Sequence, residues 1–162
     1  MTALDPFTDA LDCPLYVVTA TAAGERAGCL VGFASQCSIR PARFIVWLSK
    51  ANRTYRVAAR ADRLAVHLLG HDQDHLARLF GGATGDMTDK FTRTAWHPGP
   101  GGVPVLDEAP VWVVGRVQSR FDGGDHCGFL LAPEAAQHPG GDGVRLMFLK
   151  DGPDISPGHP AD

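Results

Sequence analysis

The chain has 162 residues, of which 44% are hydrophobic and 20% charged, and its formal net charge is −3 at pH 7. This composition is typical of one soluble globular domain, and so small a charge gives no reason to expect nucleic acid or an anionic membrane as a partner. No run of 18 apolar residues is present, and the acidic first twelve residues lack the basic and apolar parts of a leader. We therefore expect neither a membrane span nor a secretory signal, and a cytoplasmic location.

The 19 glycines and 12 prolines favour many short strands and turns over a helical bundle. We interpret residues 1–162 as one domain, with a core over about 13–150 and a surface tail over 151–162. The four cysteines contain no C-x-x-C pair, so we expect reduced thiols and no metal site. These cysteines are Cys13, Cys29, Cys37 and Cys127.

The N-terminal part predicts a short helical turn after Pro6 and then a β-hairpin. Residues 13–22 are apolar and rich in β-branched side chains, which favours a strand. Residues 23–25 predict a turn that leads back into a second strand near Gly28.

Residues 28–54, GCLVGFASQCSIRPARFIVWLSKANRT, form the stretch around which the rest of the chain is organised. They predict two apolar strands joined by a corner that contains proline. The second strand, FIVWLS, is apolar enough to be buried on both faces. Asn52 is suited to cap a helix that begins at Arg53. The first strand ends in small side chains that leave room beside the backbone for a flat ligand: Ala34, Ser35, Cys37 and Ser38.

The start of that helix is a candidate phosphate site. A helix N-terminus presents unpaired N–H groups and the positive end of the helix dipole, and Lys50 and Arg53 add positive charge here. A flat slot beside a phosphate site is what a flavin nucleotide requires. The residues therefore predict a flavin-nucleotide site between the strand corner and the helix.

The next segment predicts a strand and a helix. Residues 64–69 are apolar throughout, which indicates a buried strand with His67 as a core residue. Residues 72–81 predict a helix that is capped by Asp72 and ended by Gly81, with its apolar residues on one face.

The last part of the chain predicts a long loop and further strands. Residues 83–102 are polar and rich in Gly and Pro, which is typical of a loop. A strand is expected within 103–121, a hairpin tip at 123–126 and a last apolar strand at 144–149.

Three segments, by their order and spacing, resemble the flavin reductase-like family of short NAD(P)H:flavin oxidoreductases. The first is 28–54, which has four positions in register with the family pattern: Gly28, Ser38, Pro41 and Thr54. The second is the helix HDQDHLARLFGG, which is followed by the family's DKF motif ending at Phe91. The third is a GDH motif that ends at His126.

The resemblance implies a mainly β fold, a six-stranded antiparallel split β-barrel of Greek-key topology (the FMN-binding split barrel) with two or three short helices. It implies an enzyme that transfers hydride from NADH or NADPH to FMN or FAD. The reduced flavin would be supplied to a partner monooxygenase or another acceptor. Family members are homodimers with the flavin near the subunit interface, so a homodimer is expected. Because a flavin carries out the redox step itself, no general base or metal is required.

Particular residues are implied as well. His126 would reach the nicotinamide side of the cofactor and is the catalytic residue expected, and Lys90 would approach the flavin phosphate. The flavin ring is expected against the strand and its corner, at Leu30, Val31, Gly32, Phe33, Ala34, Gln36, Cys37 and Ser38. The phosphate is expected at Lys50, Ala51, Asn52, Arg53 and Thr54.

Two other interpretations remain open. One is a split barrel that holds flavin, or haem, without turnover as a carrier or sensor, which the departures from the family pattern at 40–42 and after His126 permit. The other is a related split-barrel oxidase or a deazaflavin-dependent reductase. Anaerobic mixing with NADH separates a reductase from a carrier, because only a reductase bleaches its flavin at enzymatic rates.

Overall fold

The computed structural model describes residues 1–82, 89–141 and 143–155, which are mainly β. The strands in this part are β1 (Tyr16–Ala22), β2 (Glu25–Val31), β3 (Ala34–Ser38), β4 (Arg43–Ser49), β5 (Arg63–Leu68), β6 (Trp96–Pro98), β7 (Pro104–Leu106), β8 (Val111–Asp122) and β9 (His126–Gln137). The α-helices are α1 (Asp5–Thr8), α2 (Arg53–Ala58) and α3 (Asp74–Gly82). Short 3₁₀ helices lie at Lys90–Thr92, Pro100–Gly102 and Leu149–Asp151. Among the described residues, no helix combines the length and the apolar character that a membrane crossing needs.

Seven strands form one antiparallel sheet in the order β2-β1-β5-β8-β9-β4-β3, and β6 pairs with β7 in a small second sheet. Neighbours in sequence pair in the hairpins β1–β2, β3–β4 and β8–β9, whereas β5 lies beside β1 and β9 lies beside β4. The turn between β1 and β2 falls at Ala23 and Gly24, within the predicted turn. The antiparallel, mainly β fold is thus confirmed.

One apolar cluster is shared by strands from both ends of the sheet. Val18 of β1, Cys29 of β2, Leu48 of β4 and Phe129 of β9 are buried in it together with Val57 of α2. Because β2 is one edge strand and β4 lies next to the other edge, the sheet must curve for the two to share a core. Each fully buried side chain of this size contributes about 1.5–3 kcal/mol, so burial holds the curved sheet and α2 together.

Helix α3 packs against the other face of the β1–β2 hairpin. Leu76 and Phe80 are buried there with Leu15 and Val17, which confirms the predicted apolar face of the helix. A Cβ atom at position 28 would lie 2.8 Å from the Phe80 ring. Gly28 is therefore required for the close approach of the helix to β2.

His67 is buried in β5, as predicted, and joins three strands. Its Nδ1 donates to the Val17 carbonyl of β1 (2.9 Å), and its Nε2 accepts the Leu106 N–H of β7 (3.0 Å). Only the neutral ring can make both bonds. Burial lowers the pKa of His67 to about 4, so the ring stays neutral in the folded chain.

Within the described part of the chain, the main sheet has seven strands, whereas six were expected. The predicted strand over 28–38 is broken at Gly32 and Phe33, so its two parts pair with different partners, β2 with β1 and β3 with β4. The prediction that FIVWLS is buried on both faces is wrong for the single chain. Val46 and Leu48 are buried, but the other side chains of this segment are partly exposed: Phe44, Ile45, Trp47 and Ser49.

Three other segments differ from the prediction. The predicted loop over 83–102 contains β6, which forms only because β7 supplies a partner from further along the chain; residues 83–88 lie outside the described part. Residues 144–149 form isolated bridges in place of a strand, Leu146 with Gly70 and Phe148 with Pro14. Helix α3 starts two residues after Asp72, so that residue is not its cap.

Candidate functional site

Strand β3, where the flat ligand is predicted, is an edge strand. Among the residues that the structure describes, β3 pairs only with β4, and the side chains of Ser35, Gln36 and Cys37 are exposed. The register shifts between Gln36 and Ser38, which leaves Cys37 at a bulge. An edge strand presents backbone N–H and C=O groups that a ligand can use. The residues over 34–38 therefore have the accessible surface that the prediction requires.

Leu30 and Val31 contribute less to that surface than predicted. Val31 is buried in the curved-sheet core, and Leu30 packs against α3, where a Cβ on Gly81 would lie 2.8 Å from the Leu30 side chain. Val31 is buried and Leu30 is partly buried, because both precede the break that turns the chain outward at Gly32. Any contact with a ligand at these two positions falls to the backbone.

Phe33 stands at the break between β2 and β3 with its ring exposed. Its carbonyl accepts the Trp47 N–H (2.9 Å), which fixes the backbone against β4. The ring centroid lies 5.0 Å from that of the His126 imidazole, and the planes are tilted by 50°. The fold thus brings together two residues that are 93 positions apart in the sequence.

The GGDH segment forms the turn between β8 and β9, as predicted. Lys50, the residue that follows β4, holds this turn in place. The Lys50 ammonium donates to the Asp122 carboxylate (2.7 Å), which also accepts the Gly124 N–H (3.0 Å). The Lys50 N–H donates to the Asp125 carbonyl (2.9 Å). The hydrogen bond with Lys50 lowers the pKa of Asp122, and the same bond raises the pKa of Lys50. Lys50 therefore binds the hairpin, whereas the sequence predicted that it would bind the flavin phosphate.

His126 is the first residue of β9 and lies opposite Ser49 of β4. Its Nδ1 donates to the Asp125 carboxylate (2.7 Å), and this bond lowers the pKa of Asp125. The hairpin is further defined by Trp47, because Cβ atoms on Gly123 or Gly128 would lie 2.8 Å from its ring. The two glycines therefore let the indole lie directly on the hairpin backbone.

The predicted helix cap at Asn52 is confirmed, but the cap occupies a backbone amide that was expected to bind the phosphate. The Asn52 side chain accepts the Thr54 N–H (3.0 Å), so that amide is already bonded. The Thr54 side chain is buried beside Cys29; burial raises the pKa of the Cys29 thiol to about 11, and its hydrogen bond with Thr54 opposes the rise. Arg53 donates to the Arg26 carbonyl (2.8 Å) and to Glu25 (3.3 Å). Positive charge at this position therefore comes from the Arg53 side chain more than from open amides of a six-residue helix.

A cavity of about 280 Å³ lies beside Arg53. Its walls come from the β1–β2 turn, the start of β2, α2 and the DKF segment. The lining residues are Gly24, Glu25, Arg26, Ala27, Gly28, Arg53, Asp89, Lys90 and Phe91. Three of these side chains are cationic and two are acidic, so the cavity carries a net positive charge, which suits an anion.

Lys90 is a buried wall of this cavity, only 4% exposed. Its ammonium donates to the carbonyls of Gly28 (3.0 Å) and Phe80 (3.1 Å), and burial lowers its pKa. An ammonium has three N–H donors, and within the described residues these two bonds leave one of them for a ligand. The structure thus places Lys90 as a tie between β2 and α3 that also borders the cationic cavity.

A second depression, an open apolar groove of about 450 Å³, lies at the other end of the curved sheet from the hairpin. Strand β4 pairs with β9 only as far as Leu131, so the outer part of β9 has no strand on that side within the described residues. The groove opens at this gap. It is lined by Tyr16, Phe44, Val66, Leu68, Val111, Trp112, Val113, Ala136, Gln137 and His138.

Several residues of the site were missed at the sequence level. Glu25 and Arg26 line the cavity, Asp122 holds Lys50, and Trp47 supports the hairpin. Asp122 had a sequence signal, an acidic residue directly before Gly-Gly-Asp-His. Trp47 had none, because the contact between its ring and Gly128 depends on strand pairing.

The fold and the site together define a class of protein: a curved antiparallel sheet with an accessible edge strand, a His-bearing hairpin and a cationic cavity, the last two linked by the short segment from Lys50 to Arg53. Comparison with known families agrees with this description. The model of the flavin reductase like domain matches residues 9–154. The chain belongs to the flavin reductase like family.

Three individual relatives are 21% to 30% identical to this chain. FMN reductase (NADH) RutF of Methylorubrum extorquens is 29% identical over 126 residues, 78% of this chain, and the chain spans 61% of that protein's length. The 4-hydroxyphenylacetate 3-monooxygenase reductase component of Salmonella typhimurium is 30% identical over 115 residues, 69% of this chain and 68% of that protein. The solved structure of the NADH:FAD oxidoreductase SgcE6 of Streptomyces globisporus superposes with a TM-score of 0.82 at 21% identity, covering 93% of this chain and 88% of that one. At this identity the structural likeness shows the fold alone.

Proposed function

We propose that the protein is an NAD(P)H-dependent flavin reductase that passes hydride from NADH or NADPH to FMN or FAD. The observation that carries this is the segment from Lys50 to Arg53. At one end Lys50 holds the His126 hairpin, and at the other end Arg53 borders the cationic cavity. One short segment thus connects a place for a reacting ring with a place for a phosphate, as a flavin nucleotide requires.

The residues present fit a flavin nucleotide. The exposed edge strand over 34–38, with the backbone at 30–33, offers small side chains and backbone groups to a flat ring. Lys90, Arg53 and Arg26 offer positive charge to a phosphate, and the segment at Ala51 and Asn52 links the two. A bound flavin would accept the hydride, two electrons with one proton, that the nicotinamide gives up. The protein's part is to hold both rings in contact, which supplies much of the rate.

His126 is proposed to contact the nicotinamide. Its Nδ1 is engaged by Asp125, so Nε2 is the nitrogen that can bond the carboxamide of the substrate. NADH is the proposed donor, because the relatives are named as FMN reductase (NADH) and NADH:FAD oxidoreductase.

A partner monooxygenase is proposed to consume the reduced flavin. The relative from Salmonella typhimurium is named as the reductase component of a monooxygenase. A cytoplasmic location is proposed as well, because Cys29 and Cys127 are buried free thiols of the kind that reducing compartments preserve.

A homodimer with the split-barrel architecture is also proposed. The open apolar groove, which lies where β9 extends beyond its pairing with β4, would be the split of such a barrel, and apolar surface of this kind marks an interface. A second copy of the chain would cover it. Sedimentation velocity over a range of concentrations tests this, and a monomer at micromolar concentration would contradict it.

The decisive experiment combines the absorbance spectrum of the purified protein with anaerobic NADH oxidation in the presence of FMN and FAD. Bleaching of the flavin at enzymatic rates supports a reductase, whereas binding without bleaching indicates a carrier. His126→Ala should lower kcat/KM for NADH about 10-fold, the contribution of one well-aligned hydrogen bond, and leave the Kd for flavin unchanged. His75→Ala is the matched control, because His75 also pairs with a carboxylate, that of Glu108, at 2.6 Å. Equal loss of NADH use and flavin binding in His126→Ala would reject the proposed role of His126.

A further inference from the structure

Phe33 is an aromatic residue in an unusual place for its size. It is 60% exposed, whereas the largest buried side chains of this fold include Phe80 and Phe129. A single exposed aromatic ring is common on protein surfaces and needs no explanation by itself. What distinguishes Phe33 is its neighbour, since its ring contacts the His126 imidazole at a centroid distance of 5.0 Å.

The imidazole of His126 is held from two directions. The Asp125 carboxylate accepts from Nδ1 at 2.7 Å, which fixes the proton on that nitrogen, and the backbone of Asp125 is fixed in turn by the Lys50 N–H. The Phe33 ring lies against the imidazole at a 50° tilt, and the centroid distance of 5.0 Å is within the range of interacting aromatic pairs. Among the described residues Nε2 has no hydrogen-bond partner, so it is the part of the ring left for a substrate.

The backbone that carries Phe33 is rigid even though its ring is exposed. Its carbonyl accepts the Trp47 N–H at 2.9 Å, and Trp47 lies on the glycines of the hairpin that bears His126. The break in the strand and the hairpin are therefore fixed relative to each other through one residue of β4. An exposed ring on a fixed backbone suits the positioning of a neighbour better than the filling of a core.

We propose that Phe33 is a positioning residue for the hydride donor, which holds the His126 imidazole in one orientation for the nicotinamide ring. This assigns the Phe33 side chain to the nicotinamide and leaves only the Phe33 backbone to the flavin, and it rests on the proposed function of His126. The ligand class is a nicotinamide nucleotide. Because Phe33 is exposed, its replacement should change NADH use without changing stability.

The test uses three variants in the full chain. Phe33→Leu keeps apolar bulk and removes the ring, Phe33→Tyr keeps the ring, and Phe7→Leu is the matched control at an aromatic residue that is 65% exposed on α1. Phe33→Leu should raise KM for NADH about 3- to 10-fold, the range measured for one aromatic pair, with flavin Kd and Tm unchanged. Phe33→Tyr should restore the wild-type KM, and Phe7→Leu should not change it.

A double-mutant cycle decides whether Phe33 acts through His126. In the His126→Ala background, Phe33→Leu should have almost no further effect, because the group it positions is gone. An effect of full size in that background would overturn the inference. An equal rise in flavin Kd would overturn it as well, since it would place Phe33 on the flavin.

Nuclear magnetic resonance of the histidine ring protons gives a readout that is independent of turnover. The His126 signals should carry a ring-current shift that is lost in Phe33→Leu and retained in Phe33→Tyr. Titration with NAD⁺ should shift the His126 signals of the wild type and shift them less in Phe33→Leu. If the wild type fails to reduce flavin, the proposed function is wrong. The titration still tests whether Phe33 and His126 contact the nicotinamide nucleotide. Absence of any NAD⁺-dependent shift in the wild type overturns the inference whatever the reductase assay gives.

Discussion

The cavity and the hairpin, the two sides of the candidate site, differ in how deeply their polar groups are buried. On the cavity side two polar groups, Lys90 and Thr54, are buried and bonded within the fold. On the hairpin side Lys50, Asp122 and His126 pair near the surface. A buried polar group fixes the backbone and is costly to remove, whereas exposed pairs contribute little to stability. Changes on the cavity side should therefore affect folding and binding together, and changes at the hairpin should affect chemistry alone.

The largest expected effect concerns the buried scaffold behind the site and its dependence on pH. An unfolded chain has a His pKa of about 6.5, whereas the pKa of His67 in the folded chain is about 4. Between these values the unfolded chain binds a proton that the folded chain does not. The free energy of unfolding should therefore fall as the pH is lowered from 6.5 to 4, by up to about 3 kcal/mol.

Urea denaturation of the wild type and His67→Gln at pH 7, 5.5 and 4 checks this. The variant lacks the titrating group, so the stability difference between the two proteins should shrink as the pH falls. A constant difference over that range would show that His67 does not control the acid sensitivity.

The next effect concerns the buried cation of the cavity. Lys90→Met keeps the apolar stem and leaves the carbonyls of Gly28 and Phe80 without their donor. The free energy of unfolding should fall by about 2 kcal/mol, and the Kd for FMN should rise in the same protein. Lys150→Met is the control, because Lys150 is exposed and its ammonium donates to the Asp9 carbonyl (3.0 Å) at the surface. Loss of FMN binding with unchanged stability would contradict this prediction, because it would show that Lys90 affects only binding, as the exposed hairpin residues are expected to do.

The smallest effect contrasts two glycines that meet aromatic rings at the same distance. A Cβ at position 28 would lie 2.8 Å from the Phe80 ring, and a Cβ at position 128 would lie 2.8 Å from the Trp47 ring. Phe80 is fully buried, so Gly28→Ala should cost about 1–2 kcal/mol of stability. Trp47 is partly exposed and can move, so Gly128→Ala should cost less stability but displace the hairpin and raise KM for NADH.

Thermal unfolding and steady-state kinetics of both variants check this contrast. Equal loss of stability in the two would mean that the hairpin is as rigid as the core. An unchanged KM in Gly128→Ala would show that the hairpin position does not affect the use of NADH.

Much of the fold was predictable because it depends on local patterns. The β1–β2 turn, the Asn52 cap, the apolar face of α3 and the burial of His67 follow from turn residues, capping chemistry and periodicity. The strand count was not predictable, because the break at Gly32 is apparent only when β2 and β3 pair with different strands. The strands β6 and β7 were missed for the same reason, since neither three-residue segment has a pattern of its own.

The candidate site was predictable as a set of segments and not as a set of contacts. Residues 28–54, the DKF motif and the GDH motif were recognised in sequence, and the fold connects them through Lys50, Arg53 and Lys90. Lys90 was expected as a phosphate ligand, and the structure shows that it is first a buried tie between β2 and α3. Asp122 as the partner of Lys50 and Phe33 as the neighbour of His126 are contacts across the sheet, which spacing along the chain cannot reveal.

The amino-acid sequence by itself determined most of the strands and helices and the motifs that are proposed to carry chemistry, because propensity, capping and hydrophobic period are properties of neighbours in the chain. The tertiary structure alone decided which of those groups are buried, which are paired and which remain exposed. The physical reason is that burial and pairing arise between residues far apart in sequence. His126 and Phe33, or Lys90 and Gly28, acquire their environments only when the sheet has curved around its core.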